Sequence, residues 1–237
     1  MISKQAKLIQ TVLRHAGMRK ISSNKMLKPS RSGRYKEPPK SFYKKYNISV
    51  YTKNGVKCVN LKSGNPPIKH IVYFHGGGYA SETSRMHWSF AEFMLKETMS
   101  EVTLVNYPLS PEHGCNECIK AVTEIYKRLF AAYEGEIILM GDSAGGGLAL
   151  ALAQNIKSEG INAKPDKIIL LSPWVDVSMS DDVPKEVADS DVILEVESLK
   201  TLGRRYAKDL DLKDFRCSPL YGDLGGIGET ALFIGTH

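Results

Sequence analysis

An α/β architecture with a mostly parallel central sheet flanked by helices is what this sequence predicts, on three observations. Five short apolar runs recur along the chain: "HIVYF", "VTLVNY", "EIILM", "KIILL" and "ALFIG". None alternates with polar residues, the mark of strands buried on both faces. Between most of them apolar residues return at helical spacing, and alternating strand and helix implies a sheet covered by helices. Lastly, the Asn54-Gly55 turn within "NISVYTKNGVKCVNL" adds an antiparallel hairpin at the sheet edge.

The elements follow in order. Ile9, Val12, Leu13 and Ala16 predict an amphipathic helix over 4–17, ended by Gly17. A polar, basic stretch with Pro29, Pro38 and Pro39 then runs to about 45. Residues 1–45 hold 13 Lys and Arg against one acid, Glu37, a charge of +12; the whole chain is +6, so the remainder is −6. No nucleic-acid-reading motif accompanies these cations, so a nucleic-acid partner is not expected. They read as a solvated, partly flexible arm, with a surface for anionic lipid or an acidic partner as the alternative. After the hairpin, Ile119, Val122, Tyr126, Leu129, Phe130 and Tyr133 form one helical stripe, and Leu148, Ala151, Leu152 and Ile156 another.

The 237 residues suffice for one large domain with a real core. No run of about 18 apolar residues is present, so no membrane span is expected. "MISKQAKLIQTVLRH" lacks the unbroken apolar centre of a signal peptide, and a cytoplasmic location is expected. Cys115 and Cys118 have dithiol spacing, but no second ligand pair accompanies them; with Cys58 and Cys217 they read as reduced, packed thiols, and no metal is expected.

The chemistry lies in "EIILMGDSAGGGLALALAQNI". Ser143 sits in a G-x-S-x-G between a strand and a helix, the context in which that motif exposes a nucleophile on a strained turn. A small-residue turn with a buried serine would fit the bare motif equally well. The second feature is "HGGGYA", His75 to Ala80, three glycines directly after a strand. Unscreened N–H groups of Gly76, Gly77 and Gly78, with that of Ala144, suit an oxyanion hole, Gly77 best of the three. A phosphate loop would need G-x-x-x-x-G-K-[ST], which is absent. His75 reads as fixing the loop.

Together "HGGGY", "YPLSPEH", "GDSAGGGLA" and "LSPWVDVSMS" resemble the hormone-sensitive-lipase branch of the α/β-hydrolase esterases, from about residue 45 onward. The resemblance implies an α/β-hydrolase core over 46–237 and cap segments at 1–45 and about 178–215. It implies Ser143 as nucleophile, and Gly76 to Gly78 with Ala144 as the oxyanion hole. His113 then matches a structural histidine, and Asp142 a residue bonding within the elbow. No cofactor is needed for this chemistry.

A serine needs an imidazole to take its proton and a carboxylate to orient that imidazole. In this fold they follow the serine in the order acid, then histidine. Five of the six histidines precede Ser143, and the sixth, His237, falls where the acid loop would begin. The sequence is therefore expected to be truncated, with C-terminal elements missing and little activity. Asp176 is a possible relocated acid. "ALFIG" would become an exposed edge strand that invites self-association. Two alternatives stand beside an esterase: a scaffold that binds a small apolar ligand, and one completed by another chain.

Overall fold

The apolar runs become strands of one seven-stranded sheet in a computed structural model that describes residues 3–33, 36–64, 66–181 and 185–235. His237 lies outside the described residues. The hairpin forms β1 (Asn47–Lys53) and β2 (Val56–Lys62), turning at Asn54 and Gly55. The five runs form β3 (Lys69–Phe74), β4 (Ser100–Asn106), β5 (Glu136–Asp142), β6 (Lys167–Leu171) and β7 (Glu229–Phe233). Spatial order is β1-β2-β4-β3-β5-β6-β7, with the β1-β2 and β2-β4 pairs antiparallel and β4-β3-β5-β6-β7 parallel.

Helices cover both faces. On one side α3 (Arg85–Glu97) buries Trp88, Ala91 and Leu95 against Ile71, Tyr73, Val102 and Leu104. On the other, α4 (Cys115–Ala132) and α5 (Ala144–Ser158) pack on Val72, Phe74, Val105 and Leu139. The four cysteines are buried free thiols, Cys115 and Cys118 on the inner face of α4. The chain leaves β3 towards β4 on one side and is followed by β5 on the other. The sheet order thus reverses at β3, and the ends of β3 and β5 flank a crevice of the kind in which open α/β sheets place their sites.

Two expectations need correction. The first helix, α1 (Lys4–His15), stops two residues early, and Gly17, at φ 62°, begins a second helix, α2 (Met18–Leu27), within the stretch read as a solvated, partly flexible arm. The face α2 buries carries Ser23 with Met26, so no apolar stripe announced it. The arm is also less solvated than its charge suggested: Arg31, Lys36 and Lys45 pair with Glu112, Glu82 and Glu92 of the core. Strand β7 begins two residues before "ALFIG"; it is exposed along its whole length, as expected of an edge strand. Among the described residues it pairs only with β6, and Leu232 and Ile234 help line an open apolar groove of about 560 Å³ with Leu150, Leu170 and Val175. Two further helices, α6 (Lys185–Ser190) and α7 (Val196–Ala207), lie in the stretch read as cap. Met26 of α2 and Leu202 of α7 form a small apolar cluster with Ala80.

Candidate active site

Register brings the two signature loops together. Phe74 at the end of β3 lies opposite Gly141 in β5, so the triple-glycine loop and the serine turn leave adjacent strands at the same level. The turn is tight because its glycines are in contact with backbone. A Cβ on Gly145 would lie 2.0 Å from the Phe74 carbonyl oxygen, and one on Gly141 2.3 Å from the backbone of Gly145. Ser143 itself holds φ 50° and ψ −121°, a conformation that costs a non-glycine residue of order 1–3 kcal/mol. Its backbone is pinned on both sides: Ser143 N–H donates to the Leu171 carbonyl (3.0 Å), and Trp174 N–H donates to the Ser143 carbonyl (2.8 Å).

Asp142 joins the two loops. Its Oδ1 accepts from Tyr73 Oη (2.6 Å) and from the Gly76 N–H (2.9 Å). This corrects one expectation: the Gly76 N–H is occupied by Asp142 and cannot serve an oxyanion. The N–H groups of Gly77, Gly78 and Ala144 have no acceptor among the described residues. Gly77 adopts φ 122°, open to glycine, and its carbonyl accepts from Ala80 and Ser81, turning the loop back on itself. Ala144 is the first residue of α5, so its amide sits at the positive end of the helix dipole.

His75 fixes the loop, as read from the sequence. It is buried, stacks on Tyr107 with ring centroids 4.6 Å apart, and has Nδ1 2.8 Å from the Gly76 carbonyl oxygen. Burial pushes its pKa down to about 3, with His87 adding to the shift, so it is neutral at pH 7. His87 was not singled out in the sequence. Its Nδ1 accepts the Ser84 N–H (3.0 Å) in a capping box at the start of α3, and its Nε2 lies 4.0 Å from Asp142 Oδ2. Burial lowers its pKa, with the Asp142 carboxylate opposing. The only signal was the Ser84-x-x-His87 spacing. His113 is exposed and lies 3.6 Å from Glu117.

The basic arm grips the same loop. Arg31 donates to the carbonyls of Ala80 and Ser110 and forms a two-pronged pair with Glu112 (Nε–Oε1 3.1 Å, Nη2–Oε2 2.7 Å). The Gly33 N–H donates to Glu82 Oε2 (2.9 Å). Met26 and Leu202 pack directly against Gly78.

Asp176 does not join this group. Its carboxylate accepts from Ser178 N (2.8 Å) and Oγ (2.5 Å), Ser180 Oγ (3.2 Å) and Tyr221 Oη (3.2 Å), and it ties the loop after β6 to residues 218–221. Burial raises its pKa, but these bonds outweigh it and the net shift is downward. No described histidine bonds to it, so it is a hub for hydroxyls rather than a partner for an imidazole. Nor does any described side chain hydrogen-bond Ser143 Oγ. No group of metal-ligating side chains occurs among the described residues.

A strand, a serine turn and a helix beside a glycine-rich loop define an α/β hydrolase, and the comparisons agree. The alpha/beta hydrolase fold family matches residues 71–237, and the chain belongs to it. Within it, the chain falls in the hormone-sensitive-lipase-like branch of esterases. It is 30% identical to an esterase of Acinetobacter venetianus over 185 residues, covering 77% of this chain and 61% of that protein. A triacylglycerol lipase of Mycobacterium tuberculosis is 29% identical over 191 residues, 80% of this chain and 39% of the lipase. The chain thus spans less than two thirds of the length of both relatives. A solved hormone-sensitive lipase from a metagenome library superposes with a TM-score of 0.77 at 26% identity, over 95% of this chain and 77% of that one.

Proposed function

We propose that this chain carries the nucleophile and oxyanion hole of a serine carboxylester hydrolase for short acyl or acetyl esters. Ser143 Oγ attacks the ester carbonyl carbon, and the carbonyl oxygen takes the negative charge. The N–H groups of Gly77, Gly78 and Ala144 receive that charge. The alcohol departs with a proton, and water then hydrolyses the acyl-serine. One observation carries the reading: the 2.9 Å bond from the Gly76 N–H to Asp142, the residue before the serine. It holds the glycine loop against the serine turn and leaves the next amides along the loop without an acceptor. Relatives named esterase, triacylglycerol lipase and acetyl-hydrolase support the reaction class. In this reading α2 and α7, joined at Met26 and Leu202, belong to a cap over the site.

The proton of Ser143 has no acceptor among the described residues. Losing the base from a serine triad costs about a millionfold in turnover. The purified 237-residue chain is therefore expected to hydrolyse p-nitrophenyl acetate only marginally faster than its Ser143→Ala variant. Brisk turnover abolished by that substitution would show that an activated base is present. A second reading, a scaffold that binds a small apolar ligand without turnover, is favoured by the same unpartnered Oγ. Stoichiometric labelling of Ser143 by a fluorophosphonate would exclude it.

A further inference from the structure

Helix α1 has an apolar face that its own fold leaves bare. Leu8, Ile9 and Val12 are 66%, 59% and 58% exposed, and they lie on one side of the helix at i, i+1 and i+4. Lys7 and Arg14, about two turns apart, share the opposite side. The helix packs on α2, and Arg14 reaches the Ser190 carbonyl (3.4 Å) at the end of α6. That neighbouring segment also leaves Val187 and Ile193 about half exposed.

Within the arm itself the charge around this stripe has one sign, while the adjoining α6 segment adds Glu186, Asp189 and Asp191. No acid precedes Glu37 in the sequence. Among the described residues Lys7, Lys20, Lys25 and Lys28 have no carboxylate partner, in contrast to Arg31, Lys36 and Lys45, which bind the core. The arm is +12 and the rest of the chain −6, and the bare stripe lies within the arm.

We infer that α1 docks in plane on an anionic lipid surface, Leu8, Ile9 and Val12 entering the acyl boundary while the flanking lysines meet the headgroups. The two features together select this partner. An acidic protein would satisfy the cations and leave three aliphatic side chains against charge, whereas a bilayer supplies both hydrocarbon and anions. Each lysine or arginine held near such a surface contributes about fivefold in affinity, and salt screens that part. Docking also brings the bilayer to the candidate site, because α1 runs through Gly17 into α2, whose Met26 rests on Gly78. It stands whether or not Ser143 reacts.

Flotation of the full 237-residue chain with vesicles tests this. Vesicles of phosphatidylcholine with about one third phosphatidylglycerol are expected to carry the chain upward at low salt, and pure phosphatidylcholine vesicles at least tenfold less. Raising salt to about 0.5 M is expected to release most of it. The Leu8→Glu, Val12→Glu double variant, altered only at exposed positions, is expected to stay at the bottom with unchanged circular dichroism. Equal flotation of that variant overturns the assignment of the stripe. Failure of the unaltered chain to float with anionic vesicles overturns the proposal and leaves the arm to an acidic protein partner.

Discussion

β3 and β7 are alike on paper and opposite in the molecule. Both are short, apolar and parallel to their neighbours. β3 lies between β4 and β5, and Ile71 to Phe74 are shut from solvent; among the described residues β7 pairs with β6 alone, and each of its five residues is exposed. The composition of a strand therefore does not fix its burial; the number of flanks that pair with it does. Chemistry follows the same rule. The loop after β3 is held by Asp142 from β5 and Arg31 from the arm, so its amides can be aimed, which a strand with one free side cannot offer.

The largest expected effect comes from disturbing the β3 side. In Gly145→Ala the new methyl meets the backbone carbonyl of Phe74, which cannot rotate away, and a loss of at least about 3 kcal/mol is expected by urea denaturation. Ala231→Val on β7 is expected to stay within about 0.5 kcal/mol. Near-native stability of Gly145→Ala would break the comparison.

Acid sharpens it next. His70 in β3 and His75 just after it are held neutral by burial, with pKa values pushed down to about 4 and about 3; the Glu101 carboxylate partly opposes this at His70. In the unfolded chain each titrates near 6.5, so below that pH the unfolded state binds protons that the folded state refuses. Their stabilisation is complete above about pH 6.5 and is lost progressively towards pH 4, at about 2 kcal/mol each by pH 5. Urea midpoints at pH 7.5, 6 and 5 are expected to fall steeply, and less so in His70→Asn. A flat profile would mean that these histidines take up protons in the native protein as readily as in the unfolded chain.

The smallest effect on stability is expected at the edge. Leu232→Lys with Phe233→Lys is expected to change the unfolding free energy by less than about 0.5 kcal/mol. The same pair is expected to lower the apparent mass by light scattering, because charge on an open strand edge discourages pairing with a second chain. An unaltered chain that is already monomeric at high concentration would remove that expectation.

What could be read from the residues, and what could not, divides along the same line. The strands were legible because continuous apolar runs are rare outside a covered sheet, and the serine turn because glycines at 141 and 145 answer to a steric demand visible in spacing alone. The exposure of β7 was expected from its place at the sheet edge, although its composition alone matches that of a covered strand. α2 was hidden because serine sits on its buried face. The donor role of Gly76 was misread because the acceptor that occupies it, Asp142, lies 66 residues away and is recruited only by the register of β3 on β5. The long reach of Arg31 had no local signal at all.

That reach has an evolutionary corollary. One guanidinium satisfies carbonyls from two crossover loops and a carboxylate besides, so no lysine can replace it bond for bond. Positions 31 and 112 should accordingly drift as a pair among kindred proteins. An insertion in the first forty residues would be filtered by how it repositions a loop coded far downstream.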